Sequence, residues 1–204
     1  MEFHLIYSGE LLKADSRGSS RVWEKHCIRR ELHQQLKTLW EKHPALKEYA
    51  NRTVEKDDNG VLLIPPKPWL EVVAHEYERA GIGFIPIMTE ANGLVCSLDI
   101  LFLRPENPGS IIDSAGDIDN RIKTLIDALR IPENASEMKT SKGDPPDPNP
   151  MYCLLQDDKL ITGLRVKTDR LLNPKGTNRR EALLVIRVET AQVDPFGSPW
   201  ELHL

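Results

Sequence analysis

Residues 117–129 read Asp-Ile-Asp-Asn-Arg-Ile-Lys-Thr-Leu-Ile-Asp-Ala-Leu, and their spacing constrains the fold more than any other segment does. Ile118, Ile122, Leu125, Ile126 and Leu129 fall at i, i+4, i+7, i+8 and i+11, which is one apolar face of a helix opened by a carboxylate. A helix of this kind is held by what covers that face rather than by its own propensity. The neighbouring segments supply a cover. Gly83–Thr89 and Leu94–Leu103 are strand-like, with Asn92-Gly93 between them predicting a hairpin. Further strand-like runs follow at Met151–Leu155, Ile161–Lys167 and Ala182–Glu189.

Upstream, residues 2–7 predict a short strand. Val22, Trp23, Ile28, Leu32, Leu36 and Trp40 mark a second helical stripe that Pro44 ends or restarts. A short helical piece is expected around Leu46–Tyr49, a turn at Asp57–Gly60, and a surface helix over Trp69–Arg79. The order helix, hairpin, helix, strands predicts an α+β fold: a small mixed sheet with packed helices in one domain spanning 1–204. Segments 41–80 and 132–150 read as insertions. The second holds Pro145, Pro146, Pro148 and Pro150 with almost nothing apolar, the profile of a functional or disordered connection.

With 204 residues, 40% hydrophobic and 28% charged, the chain can bury a sizeable core without disulfides. No apolar run approaches the roughly twenty residues of a membrane span, so no membrane partner is expected. The first residues lack the pattern of an export signal. Cys27, Cys96 and Cys153 are odd in number and lack C-x-x-C spacing, which suits a reducing, cytoplasmic setting. A net charge of −4 means that any nucleic-acid surface must be local.

The acids are distributed unevenly. Asp117 and Asp119 flank one apolar residue at a helix start, and Asp157-Asp158 precede the apolar Leu160-Ile161. Two carboxylates about 4 Å apart repel by roughly 4 kcal/mol at an effective dielectric near 20, so convergence of these acids calls for a proton or a metal. All-oxygen donors favour Mg²⁺ or Mn²⁺. Plainer roles are available to each residue. Asp117 or Asp119 suits an N-cap, Lys123 and Asp127 an exposed i, i+4 pair, and Asp157-Asp158 a turn before a strand. Asp99 could join the acids or face outward. His26 and His33, seven apart, suit packing or solvent exposure better than metal binding, and Trp23, Trp40 and Trp69 suit packing better than base stacking.

The string Asp117-Ile118-Asp119-Asn120-Arg121-Ile122-Lys123, followed by Asp127 and later by Asp157-Asp158, resembles the RusA family of Holliday junction resolvases over about residues 83–190. The likeness lies in an Asp-x-Asp-Asn-x-x-Lys motif opening a helix and a downstream Asp-Asp before a strand. It implies that Asp117, Asp119 and Asp158 bind catalytic Mg²⁺ (or Mn²⁺) and that Lys123 is catalytic, with Asn120, Asp127 and Asp157 in support. It also implies a homodimer acting on branched DNA. The two insertions and the absence of a Pro- and Asn-rich opening are departures from the family pattern.

Local positive charge is compatible with that substrate. Residues 159–189 hold eight bases against three acids, and Arg165, Lys167, Arg170, Lys175, Arg179 and Arg180 are the candidate DNA contacts; they are equally readable as solvated strand and loop residues. Lys139 and Lys142 could add contacts. The leading expectation is a Mg²⁺-dependent endonuclease of recombination and repair. A noncatalytic binding module that keeps the fold, and a metal-dependent hydrolase of a smaller phosphate substrate, are the alternatives.

Overall fold

The computed structural model describes residues 1–10, 19–56, 59–60, 62–105, 117–138, 143–173 and 181–193. Its elements in order are β1 (Glu2–Glu10), α1 (Ser19–Lys42), α2 (Pro44–Ala50), β2 (Thr53–Lys56), β3 (Leu62–Pro68), α3 (Trp69–Glu76), β4 (Phe84–Met88), β5 (Leu94–Arg104), α4 (Asp117–Leu129), β6 (Met151–Leu155), β7 (Ile161–Arg170) and β8 (Glu181–Gln192). Short 3₁₀ turns lie at Ala135–Glu137 and Asp158–Leu160. This is the expected α+β class, and α4 runs over the residues that its apolar spacing predicted.

Four strands form the main sheet in the order β1-β8-β5-β7. β1 and β5 are antiparallel to β8, whereas β7 is parallel to β5. Along β5 buried and half-buried residues alternate, because successive side chains of a strand point to opposite faces. Leu98, Ile100 and Phe102 point inward with Leu184, Ile186 and Val188 of β8 and meet Ile28, Leu32 and Leu36 of α1 in one core. Each such side chain, fully withdrawn from water, contributes about 1.5–3 kcal/mol. Ile122, Leu125 and Leu129 of α4 join the same core, with Ile118 and Ile126 packed against it.

The predicted hairpin between Gly83–Thr89 and Leu94–Leu103 does not form. β4 instead pairs in parallel with β6, residue Phe84 opposite Met151. Every residue of β4 is buried, as expected for a strand covered on both faces rather than for half of an exposed hairpin. The Asn92-Gly93 signal is nevertheless a turn. Asn92 Oδ1 accepts from the backbone N–H groups of Thr89 and Leu94, and its Nδ2 donates to the Ile87 oxygen. Gly93 supplies the positive φ of 63° that the turn requires. The chain is thereby redirected from one sheet to the other.

Pro44 restarts a helix at the first position of α2, where its missing N–H costs nothing. The segment 41–80 builds α2, the β2–β3 pair and α3; α3 ends at Glu76, short of the predicted Arg79. Asp57 and Asp58 of the expected turn lie outside the described residues. The Pro-rich connection, over its described part, is strapped to α1. Trp23 Nε1 donates to Asp144, His26 bonds Asp147, and Arg30 donates to the Pro145 oxygen. Asn149 then accepts from the Gly83 N–H and leads into β6.

Candidate active site

The first turn of α4 carries the acidic motif. Asp117 opens the helix, and its side chain lies outside the described residues. Asp119 and Lys123 are exposed, one turn apart, while Arg121, Ile122, Thr124 and Leu125 are buried. The apolar residues turn inward because the core takes them, and Asp119 and Lys123 are left facing solvent on one side.

The second acidic pair is built at the end of β6. Gln156 N–H donates to the Met88 oxygen and Gln156 Oε1 accepts from the Glu90 N–H, so the ends of β4 and β6 are locked together. Asp157 Oδ1 accepts from the Lys159 N–H at 3.0 Å and caps the 3₁₀ turn that begins at Asp158. Leu160 anchors that turn in the core. The turn packs against both α4 and β5, which brings the Asp157-Asp158 segment alongside the helix that bears Asp119 and Lys123. Asp119, Lys123 and Asp158 engage no partner among the described residues. Asp157 has a capping role, one of the plainer readings of this pair.

Other predicted residues fall elsewhere. Asp127 does not form an exposed pair with Lys123. It is buried, 2.5 Å from Lys25 Nζ and 3.7 Å from Arg130 Nη2. Its position on α4 faces α1, so the nearest cations are those of the interior. Asn120 is half-buried, and its backbone oxygen accepts from Thr124 Oγ1. Asp99 faces outward on the side of the sheet opposite to Leu98 and Ile100, 4.0 Å from Arg165, and so takes no part in the acidic site. Trp23 is 38% exposed rather than packed. His26 and His33 are both buried and hydrogen-bonded, so of the two expected roles, packing and solvent exposure, they take packing.

Of the candidate DNA contacts, Arg165, Lys167 and Arg170 are exposed on β7, at one edge of the sheet. Lys139, Lys142, Lys175, Arg179 and Arg180 lie outside the described residues. Two further bases of the 159–189 segment are already matched. Arg187 holds Glu2 through two bonds of 2.9 and 2.7 Å, which raises the Arg187 pKa and lowers that of Glu2; Lys159 is paired with Glu90.

Exposed carboxylates at Asp119 and Asp158 are hard oxygen donors of the kind that a hydrated Mg²⁺ or Mn²⁺ takes. Among the described residues no three His, Cys, Asp or Glu side chains assemble as a metal-holding group, with the Asp117 side chain outside that set.

Sequence reasoning missed two features. One is the buried polar network of Arg29, Asp127 and Arg130 between α1 and α4. Arg29, 1% exposed, donates to the backbone oxygens of Asp127 and Arg130 and so satisfies carbonyls at the end of α4; burial brings its pKa down to about 10. The other is a cleft of about 770 Å³ between α3 and the β2–β3 pair. Trp40 and Trp69 line it with their rings 6.0 Å apart, and Arg52 lies 3.8 Å over the ring of Tyr49 beside them. The only sequence signal for that cleft was the aromatic content of a segment read as an insertion.

Comparison of the chain with protein-family models, with curated proteins and with solved structures finds no match.

Proposed function

We propose that the chain is a metal-dependent endonuclease that hydrolyses phosphodiester bonds in branched DNA, as the resemblance to RusA-type resolvases implies. The observation that carries this reading is the packing of the Asp157-Asp158 turn against α4, which bears Asp119 and Lys123 exposed at its first turns. A helix cap or a solvated pair accounts for each acid alone; it does not account for an acidic turn packing against a helix that itself carries exposed Asp119 and Lys123, from far away in sequence.

In this reading Asp117, Asp119 and Asp158 hold Mg²⁺ or Mn²⁺. An ion held there would supply Lewis-acid activation of water and charge neutralisation at the phosphoryl oxygens. Lys123 orients the attacking water or stabilises the developing negative charge. Leu160 and Ile122, held in the core, keep the two segments in register. Arg165, Lys167 and Arg170 contact phosphates along the β7 edge. Symmetric cutting of a junction needs two such sites, hence a twofold pair of chains.

The test is cleavage of end-labelled four-way junction, flap and linear DNA under a Mg²⁺ or Mn²⁺ titration, comparing wild type with Asp119→Asn. Paired, metal-dependent cuts in the junction that vanish in the variant are expected. Activity retained by Asp119→Asn would refute the site, and cleavage of none of the three substrates would refute the substrate.

A further inference from the structure

The cleft between α3 and the β2–β3 pair takes no part in the acidic site, since none of Asp119, Lys123 and Asp158 lines it. Its volume of about 770 Å³ is that of a small-molecule pocket. Strand register sets the chemistry of one wall. Val54 of β2 stands opposite Lys67 of β3, and residues directly opposite share a face of the ribbon. Trp69 follows two residues after Lys67, where the strand passes into α3. With Lys56, these side chains give the cleft an aliphatic surface, an indole and two cations. Glu71 and Val72 of α3 line it as well.

Trp69 is a braced platform. Its backbone N–H donates to the Arg52 oxygen at 2.9 Å, and its ring lies 6.0 Å from Trp40 and 5.8 Å, edge-on, from Tyr49. Trp40 and Tyr49 are buried whereas Trp69 is half-buried, so Trp69 is the ring that offers surface to the cleft. An aromatic held in this way takes a second flat ring with little further loss of side-chain freedom. Lys56 and Lys67 are exposed, and no described carboxylate pairs with either. The acids along α3 are unequal. Glu78 faces His75 at 3.8 Å and Glu76 is hydrogen-bonded to Tyr77, which leaves Glu71 with an open carboxylate.

We infer that this cleft binds a nucleotide unit, with its base on Trp69, its phosphate at Lys56 and Lys67, and a sugar hydroxyl donating to Glu71. Each group asks for one part of such a molecule: the indole for a flat ring, the two ammonium groups for an anion, the carboxylate for a donor. An aliphatic ligand would cover Val54 and Val72 and leave both lysines unmatched. A bare anion would match the lysines and leave the indole wet. Asn92 and Asn149, which also line the cleft, are committed to the turn and to the Gly83 N–H and Gly81 oxygen. Neither is left to read a base edge, and stacking alone accepts every base. The unit is either a free nucleotide or an unpaired residue of a strand, which share this chemistry. The inference rests on the cleft alone and stands whether or not the acidic site cuts DNA.

The experiment is calorimetric titration of the full chain with AMP and with adenosine, in EDTA so that metal-dependent cleavage plays no part. Saturable binding of AMP is expected, with adenosine weaker by at least about fivefold because it lacks the anion. The double variant Lys56→Gln, Lys67→Gln should weaken AMP about tenfold and leave adenosine unchanged. Trp69→Leu should weaken both ligands at least about fivefold. Circular dichroism checks each variant, and because both lysines are exposed the double variant decides the matter even if Trp69→Leu fails to fold. A short single-stranded oligonucleotide is then added to the AMP complex. Displacement of AMP identifies an unpaired residue of a strand as the ligand, and its absence identifies the free nucleotide. No saturable AMP binding, adenosine bound as tightly as AMP, or AMP affinity unmoved in the double variant would overturn the assignment.

Discussion

Lys25 Nζ stands 2.5 Å from Asp127 Oδ2 in the interface between α1 and α4, with both side chains nearly buried. Asp119, on the same helix, is exposed and engages no described partner. Two acids of one motif are therefore separated by environment. Removing one member of a buried pair leaves an uncompensated charge and costs about 3–5 kcal/mol. Exposed substitutions stay within about 0.5 kcal/mol. Asp127→Ala should lower the urea midpoint sharply and Asp119→Asn should leave it in place. Equal midpoints for the two variants would show that the Lys25 contact contributes nothing.

The two buried histidines predict an acid-side loss of stability. His26 Nε2 bonds Asp147 at 2.7 Å and its Nδ1 faces the Arg29 guanidinium at 3.5 Å, an arrangement suited to a neutral ring protonated on Nε2. Burial pushes the His26 pKa down, and the Asp147 hydrogen bond and charge, which pull upward, do not cancel it; Arg29 and Arg30 add to the lowering. His33 is lowered by burial and by Lys37, and its Nδ1 must stay unprotonated to accept from the Tyr152 N–H at 2.9 Å. With folded values below the ordinary 6.5, the unfolded chain binds more protons as pH falls. The stabilisation is complete above that value and is lost on going below it towards the folded pKa values. Urea midpoints should be level from about pH 8 to 7 and fall by about pH 5.5, and His33→Gln should flatten the fall. A pH-independent midpoint would be the contrary result.

Much of this fold is legible in local patterns, because the residues concerned are decided by periodicity. The α4 stripe, the alternation in β5 and β8, and Pro44 at a helix start all follow from local spacing. Pairing partners are less legible. Leu94–Leu103 looks the same in sequence whether it folds back on β4 or lies between β7 and β8, and a good turn at Asn92-Gly93 serves both routes. The candidate acidic residues were legible as exposed positions only: Asp119, Lys123 and Asp158 face solvent next to breaks in the chain. Asp127 was misread because i, i+4 spacing to Lys123 predicts a pair only if both residues share the solvent side, and the helix phase that buries Ala128 and Leu129 carries Asp127 inward to Lys25. Nothing in the sequence around Lys25 announces that contact, which joins residues more than a hundred positions apart.

Asn92 tests the redirected chain. Its side chain makes three bonds, to the Thr89 and Leu94 N–H groups and the Ile87 oxygen, in a half-buried turn. Each lost bond costs about 0.5–1.5 kcal/mol, and more where a backbone group is left without water. Asn92→Ala should therefore destabilise by about 2–3 kcal/mol, measured by chemical unfolding, and Asn92→Asp should recover the two accepted bonds but not the donated one. If the alanine variant matches wild type, the turn is held by Gly93 and the strands alone.

The β7 edge makes a prediction about salt. A side chain that neutralises a phosphate releases counterions, and each such contact contributes nearly one unit to the slope of log affinity against log salt. Lys167 and Arg170 are exposed on β7, whereas Arg165 is shared with Asp99 at 4.0 Å and Arg187 is held by Glu2. The unequal environments rank the bases. Lys167→Gln and Arg170→Gln together should flatten the slope for four-way junction binding by roughly two units, and Arg165→Gln alone by less than one. The loss should be the same for junctions of different sequence, because phosphate contacts carry no base information. Binding measured in Ca²⁺, across a series of salt concentrations, separates this effect from cleavage. A slope unchanged in the double variant would remove β7 from the DNA surface and leave the acidic site to be supplied with substrate from another direction.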